Sequence, residues 1–120
     1  MKFNVATVYV KDMEKSLVFY RDVLGMKLQS RRQGGGGNEL AFLGEEDQPQ
    51  IELVCSADSG NTGYAGFSLG FSVEDMDTAL DAVKAKGYET VGMMQPNPSV
   101  KIAHIYDPNG ITISFIQQVP

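Results

Sequence analysis

The sequence predicts an α+β fold of two tandem βαβββ modules, forming a cupped, mostly antiparallel sheet with the helices on its outer face. Two observations predict it. Val10-Lys11-Asp12-Met13-Glu14-Lys15-Ser16-Leu17 returns 63 residues later as Val73-Glu74-Asp75-Met76-Asp77-Thr78-Ala79-Leu80. Each copy opens a helical pattern that a glycine ends, Gly25 in the first and Gly87 in the second. Halves in register imply one structural unit used twice, and a pseudo-twofold pairing of their sheets would leave a cavity between them.

The elements follow in order. Residues 3–10 alternate loosely and are rich in β-branched types, so they read as a strand. Asp12 supplies an N-cap, and Met13, Leu17, Tyr20 and Leu24 make a stripe at helical spacing. Gly25 fits the left-handed position after the helix. Lys27 to Arg32, Glu39 to Leu43 and Gln50 to Cys55 are three short strands. The second half repeats this with a strand Phe67 to Val73 and a helix from Asp75 that turns Met76, Ala79, Leu80 and Val83 inward. Strands Tyr88 to Met93, Lys101 to Tyr106 and Ile111 to Gln117 complete it. Module one covers about residues 1–56, module two about 66–120, and Ala57 to Ala65 is the linker of a single 1–120 domain.

Three stretches read as connections. Gly34 to Gly37 lacks the spacing and the following helix of a phosphate-binding turn, so it is a hairpin tip, though Arg31 and Arg32 beside it could touch an anion. Met94 to Ser99, with two prolines, reads as an irregular loop near the rim of the cavity. Asp107-Pro108-Asn109-Gly110 is a tight-turn signal.

Composition narrows the function. The 120 residues suffice for one domain, and 42% apolar content is ordinary for a globular protein. No apolar run is long enough for a membrane span or a signal-peptide core. The balance 10 − 15 = −5 argues against nucleic acid or an anionic membrane as partner. A single cysteine, Cys55, excludes an intrachain disulfide and a Cys-based zinc cluster, and fits a reducing compartment such as the cytoplasm.

Phe19-Tyr20-Arg21-Asp22-Val23-Leu24-Gly25-Met26, the Asp107-Pro108-Asn109-Gly110 turn and the duplication together resemble the vicinal oxygen chelate superfamily. That superfamily includes glyoxalase I, extradiol dioxygenases, fosfomycin-resistance transferases and bleomycin-binding resistance proteins. The resemblance spans essentially the whole chain. It implies the fold more than the function, because the fold hosts lyases, transferases, dioxygenases and plain binders.

In metal-dependent members a divalent ion is held by side chains from four strands. The resemblance puts those positions on Val5, Glu52, Ser68 and Ser114, so one metal-binding side chain of four is kept. A catalytic Zn²⁺, Ni²⁺ or Fe²⁺ site needs at least three ligands from His, Cys, Asp or Glu. The expectation is therefore a member without metal or other cofactor.

Strand alternation then gives the cavity lining. Phe3, Val5, Thr7 and Tyr9 share one face of the first strand, and Glu52, Val54 and possible neighbour Gln50 one face of the fourth. Ser68, Gly70 and Ser72 come from the fifth strand, and Thr112, Ser114 and Ile116 from the last. His104, flanked by Ile102 and Tyr106, takes a position that lines the cavity in related transferases. Such a surface suits a mid-sized organic ligand, apolar over much of its area with a few polar anchors.

His104, the sole histidine, has two readings. It pairs with Glu52 as an acid–base couple or ligand contact, or it is a hydrogen-bonded histidine with no chemical role. Glu52 is a ligand contact or the relic of a metal site kept as an anchor, with Tyr9, Ser68, Ser114 or His104 as candidate partners. Cys55 has the opposite parity and should face the helices. Met93 and Met94 either supply an adaptable apolar wall or fill ordinary core.

The leading expectation is a cytoplasmic, metal-independent protein that binds and sequesters a small organic molecule, as a homodimer by family resemblance. One alternative is a glyoxalase-like lyase or isomerase, related to lactoylglutathione lyase, with Glu52 and His104 as acid and base. Another is an accessory or regulatory domain that binds a protein.

Overall fold

The computed structural model describes residues 3–56 and 67–120. The chain divides into two compact units, Met1–Thr62 and Gly63–Pro120, each with one βαβββ module. The stretch Ala57 to Ala65 read as the linker lies outside the described residues.

The first unit contains β1 (Val5–Val10), α1 (Met13–Leu17, continuing as a π-helical stretch Val18–Val23), β2 (Leu28–Gln33), β3 (Glu39–Leu43) and β4 (Gln50–Cys55). Its sheet runs β1-β4-β3-β2, with β1 parallel to β4 and the other pairs antiparallel. The second contains β5 (Ser68–Ser72), α2 (Met76–Ala85), β6 (Val91–Asn97), β7 (Val100–Tyr106) and β8 (Thr112–Gln118). Its order, β5-β8-β7-β6, with β5 parallel to β8, repeats the first. The fold is thus α+β with eight strands in two four-stranded mixed sheets.

The repeated motif marks the same local event twice. Asp12 accepts a hydrogen bond from the Lys15 amide, and Asp75 accepts from the amide and hydroxyl of Thr78. Each thereby satisfies a first-turn donor that has no partner within its helix. The hydroxyl bond, then the amide bond, hold the Asp75 carboxyl below its ordinary value. Gly25 and Gly87 follow the helices with φ of 76° and 90°, a region costly for any residue with a Cβ.

The first helix departs from the expected stripe. Leu24 donates to the Phe19 carbonyl, five residues back, and Met26 donates to that of Tyr20. This π turn slips the apolar face by one residue. Phe19 and Tyr20, consecutive in sequence, are therefore both fully buried, meeting edge to face at 5.1 Å, while Leu24 is only half-buried. In α2, Met76, Leu80 and Val83 are buried and Ala79 is partly so.

Each sheet has one face against its own helix. In the first unit Val8, Val10, Leu53, Ala41 and Leu43 lie on that face and are buried. Arg31 shares it and forms ion pairs with Glu14 of α1 and Glu39 of β3. In the second, Ile113, Phe115, Ala103 and Ile105 form the equivalent layer. Gln117, of the same parity, accepts from the Met76 amide at 2.7 Å and ties α2 to β8.

Two expectations are corrected around β6. Tyr88 does not begin the strand, because its amide is spent on the Val83 carbonyl at the end of α2. The strand starts at Val91 and runs through Pro96 to Asn97, so the loop expected over Met94 to Ser99 shrinks to a hairpin turn at Pro98 and Ser99. Asn97 accepts from the Ser99 amide there. Proline is tolerated because β6 is an edge strand with two register shifts. The Gly34 to Gly37 tip is a short 3₁₀ turn with Gly36 and Gly37 at positive φ.

Candidate functional site

The candidate residues lie on the faces turned away from the helices, and register fixes their neighbours. In the first unit Thr7, Glu52, Phe42 and Ser30 make one row across β1, β4, β3 and β2. Tyr9, Val54, Leu40 and Arg32 make the next, and Val5 pairs with Gln50 on the other side. Glu52 is half-buried and its Oε1 accepts the Thr7 hydroxyl at 2.8 Å. Val54 is buried, whereas Tyr9 is exposed. The Arg32 guanidinium stands 5.5 Å from the centre of the Phe42 ring.

The second unit repeats these rows with different chemistry. Gly70, Ser114, His104 and Val91 align across β5, β8, β7 and β6, beside a row of Ser68, Thr112 and Tyr106. Ser72, Ile116, Ile102 and Met94 form the third. His104 Nδ1 and Ser114 Oγ are hydrogen-bonded at 3.0 Å, the direction set by the imidazole tautomer. Ser114 is buried at 9% exposure, while Ser68 and Gly70 are exposed. Gly70 leaves room for a neighbour, since a Cβ there would meet Ile116 Cδ1 at 3.3 Å.

The ten residues expected at a ligand site, Val5, Thr7, Tyr9, Glu52, Val54, Ser68, Gly70, His104, Thr112 and Ser114, thus occur five per unit on helix-free faces. Of the partners weighed for Glu52, none is the one observed; Thr7, across the parallel pair, takes that role. Its β1 neighbour register, not its own strand, carried the signal. Glu52 and His104 belong to different units, and each is hydrogen-bonded within its own sheet. Cys55 lies on the helix side as expected, its Sγ near the Lys11 carbonyl at 3.7 Å.

Sequence reasoning missed Leu40, Phe42, Ser30 and Arg32 on the first unit's helix-free face. The parity of Glu39–Leu43 held the information once paired antiparallel to Gln50–Cys55. Arg31 and Arg32, grouped as neighbours in sequence, separate to opposite faces. Met94 does join the helix-free face, opposite Ile102.

The donor set can be tested against the divalent ion that the family resemblance implies. Val5 offers no donor, Ser68 and Ser114 offer neutral hydroxyls, and Ser114 is already bonded to His104. Glu52 alone offers a carboxylate. Among the described residues no group of three or more His, Cys, Asp or Glu side chains is placed to hold a metal. These residues do not fit a Zn²⁺-, Ni²⁺- or Fe²⁺-type catalytic centre.

Among the described residues no helix is long and apolar enough to cross a membrane. Residues 2–115 match the family described as Glyoxalase/Bleomycin resistance protein/Dioxygenase superfamily. Among similar sequences is a protein named lactoylglutathione lyase from Neisseria meningitidis serogroup A, 38% identical over 118 residues, covering 91% of this chain and 85% of that protein. A probable lactoylglutathione lyase from Synechocystis is 37% identical over 122 residues, covering 92% and 90% respectively. Among solved structures, the antibiotic binding protein TnmS3 from Streptomyces sp. CB03234 has a TM-score of 0.76 at 23% identity, covering 99% of this chain and 97% of that one. A glyoxalase family protein from Enterococcus faecalis has a TM-score of 0.79 at 15% identity over 96% of each chain. At those identities the structural likeness speaks for the fold alone, while the sequence matches are closer. The chain belongs to the glyoxalase/bleomycin resistance protein/dioxygenase superfamily.

Proposed function

We propose that this chain binds and sequesters a small organic molecule without the help of a metal ion. The observation that carries this reading is the donor set. Of the four positions where relatives hold their ion, only Glu52 retains a metal-binding side chain, and its carboxylate already accepts the Thr7 hydroxyl. The helix-free faces support it, with aromatic and aliphatic area around a few hydroxyls, one carboxylate and one imidazole.

A second reading is favoured by one observation: relatives at 34–38% identity carry the name lactoylglutathione lyase. In it, Glu52 would act as base and His104 as acid in a lyase or isomerase reaction. Proton abstraction there would lack the electrophilic stabilisation that a metal supplies.

Glu52→Gln separates the two, because it keeps shape and an acceptor for Thr7 but removes the base. For a sequestering protein, affinity for a ligand found by screening changes at most several-fold, measured by calorimetry. For an enzyme, turnover of a glutathione hemithioacetal falls about 10²–10⁴-fold. Wild-type turnover that collapses in this variant would put the enzyme reading first.

A further inference from the structure

We propose that the helix-free face of the first unit selects an organic anion with a planar apolar body, held by Arg32 and Phe42. The inference deepens the small-molecule reading above and rests on it.

The chain has three arginines, Arg21, Arg31 and Arg32. Arg21 is paired with Asp22, and Arg31 is clamped by Glu14 and Glu39 on the helix side. Those carboxylates raise both guanidinium pKa values further. The Arg32 side chain has no ion pair or hydrogen bond among the described residues. One residue along the strand, it faces the other way.

Its surroundings there are Phe42 under the guanidinium at 5.5 Å, with Leu40, Val54 and Tyr9 in its own row. A guanidinium over a ring is fixed in orientation but keeps its edge N–H groups free, and those fork onto a carboxylate or sulfonate. The guanidinium covers one face of that ring, and a planar apolar body lies against the ring edge and the neighbouring Leu40 and Val54.

Glu52, the carboxylate of this face, sits on β4, two strands away and about 10 Å from β2 by ordinary sheet spacing. Its Oε1 is engaged by Thr7. The chain's net charge of −5 disfavours an approaching anion, but that field is screened beyond about 8 Å at physiological salt. Short-range bidentate contact therefore decides, and Arg32 supplies it.

The test titrates the intact protein with 2-naphthoate and its neutral counterpart 2-naphthamide, by calorimetry and by amide chemical shifts at Leu40 and Phe42. Wild type is expected to bind the naphthoate about tenfold or more tighter. Arg32→Gln should erase the preference, while Arg31→Gln should keep it. Equal wild-type affinities, or a preference surviving in Arg32→Gln, overturns the inference but leaves small-molecule binding standing. Binding of neither probe also overturns it. The broader reading falls only if a thermal-shift screen of neutral compounds is empty as well.

Discussion

Replacing Asp107 by alanine is expected to destabilise the second unit by about 3 kcal/mol, as three hydrogen bonds to a buried carboxylate are lost at about 1 kcal/mol or more each. The carboxylate is buried in the turn between β7 and β8, and its Oδ1 accepts from the amides of Asn109 and Ile111 at 2.8 Å each. Its Oδ2 accepts from Asn109 Nδ2 at 3.0 Å. Alanine removes the acceptor of all three bonds, and Asn109 is itself buried. Asp107→Asn keeps an oxygen for both amides and loses the bond to the Asn109 side chain, so about 1 kcal/mol is expected from that hydrogen bond. Denaturant titration followed by far-UV circular dichroism orders the variants. Equal losses for Ala and Asn would show that the turn does not depend on these amide bonds.

Phe19→Ala is expected to cost about 3–5 kcal/mol, the range for emptying a buried aromatic site. Phe19 is fully buried and meets Tyr20 edge to face at 5.1 Å, a contact typically contributing about 0.5–1.5 kcal/mol beyond area burial. Phe19→Leu should keep most of the volume and lose about 1.5 kcal/mol or less, by analogy with volume-conserving swaps. The same denaturation experiment measures both. A loss under about 1 kcal/mol for the alanine variant would contradict the packing of the π turn, since exposed sites show such values.

What the sequence made legible was governed by local chemistry. Asp12 and Asp75 cap their helices and Gly25 and Gly87 follow them, because side-chain oxygens and missing Cβ atoms act within a few residues. Glu39–Leu43 and Gln50–Cys55 match their expected bounds for the same reason, as short apolar runs bounded by turn residues. Where tertiary packing competes with local pattern, legibility ended. Burial of both Phe19 and Tyr20 widens a helical turn that Leu24 was expected to complete. Pro96 argued for a loop, and only the edge position of β6 makes it a strand residue.

The candidate site divides the same way. Strand parity placed Val5, Thr7, Glu52, His104 and Ser114 on helix-free faces, because a period of two needs no knowledge of partners. The Thr7–Glu52 and His104–Ser114 bonds depend on which strands pair and in what register, which nothing local to either residue reveals. Arg32 was hidden similarly, since its separation from Arg31 matters only once Glu14 and Phe42 occupy opposite sides of the sheet.

The central claim is that Glu52 stands without the companions that a catalytic metal requires. Elemental analysis tests it most directly, on protein purified without chelator and then dialysed against Zn²⁺, Ni²⁺, Mn²⁺ or Fe²⁺ under reducing conditions. Metal far below stoichiometric is expected after dialysis. Retention near one ion per chain or per dimer would contradict it and bring the lyase reading forward.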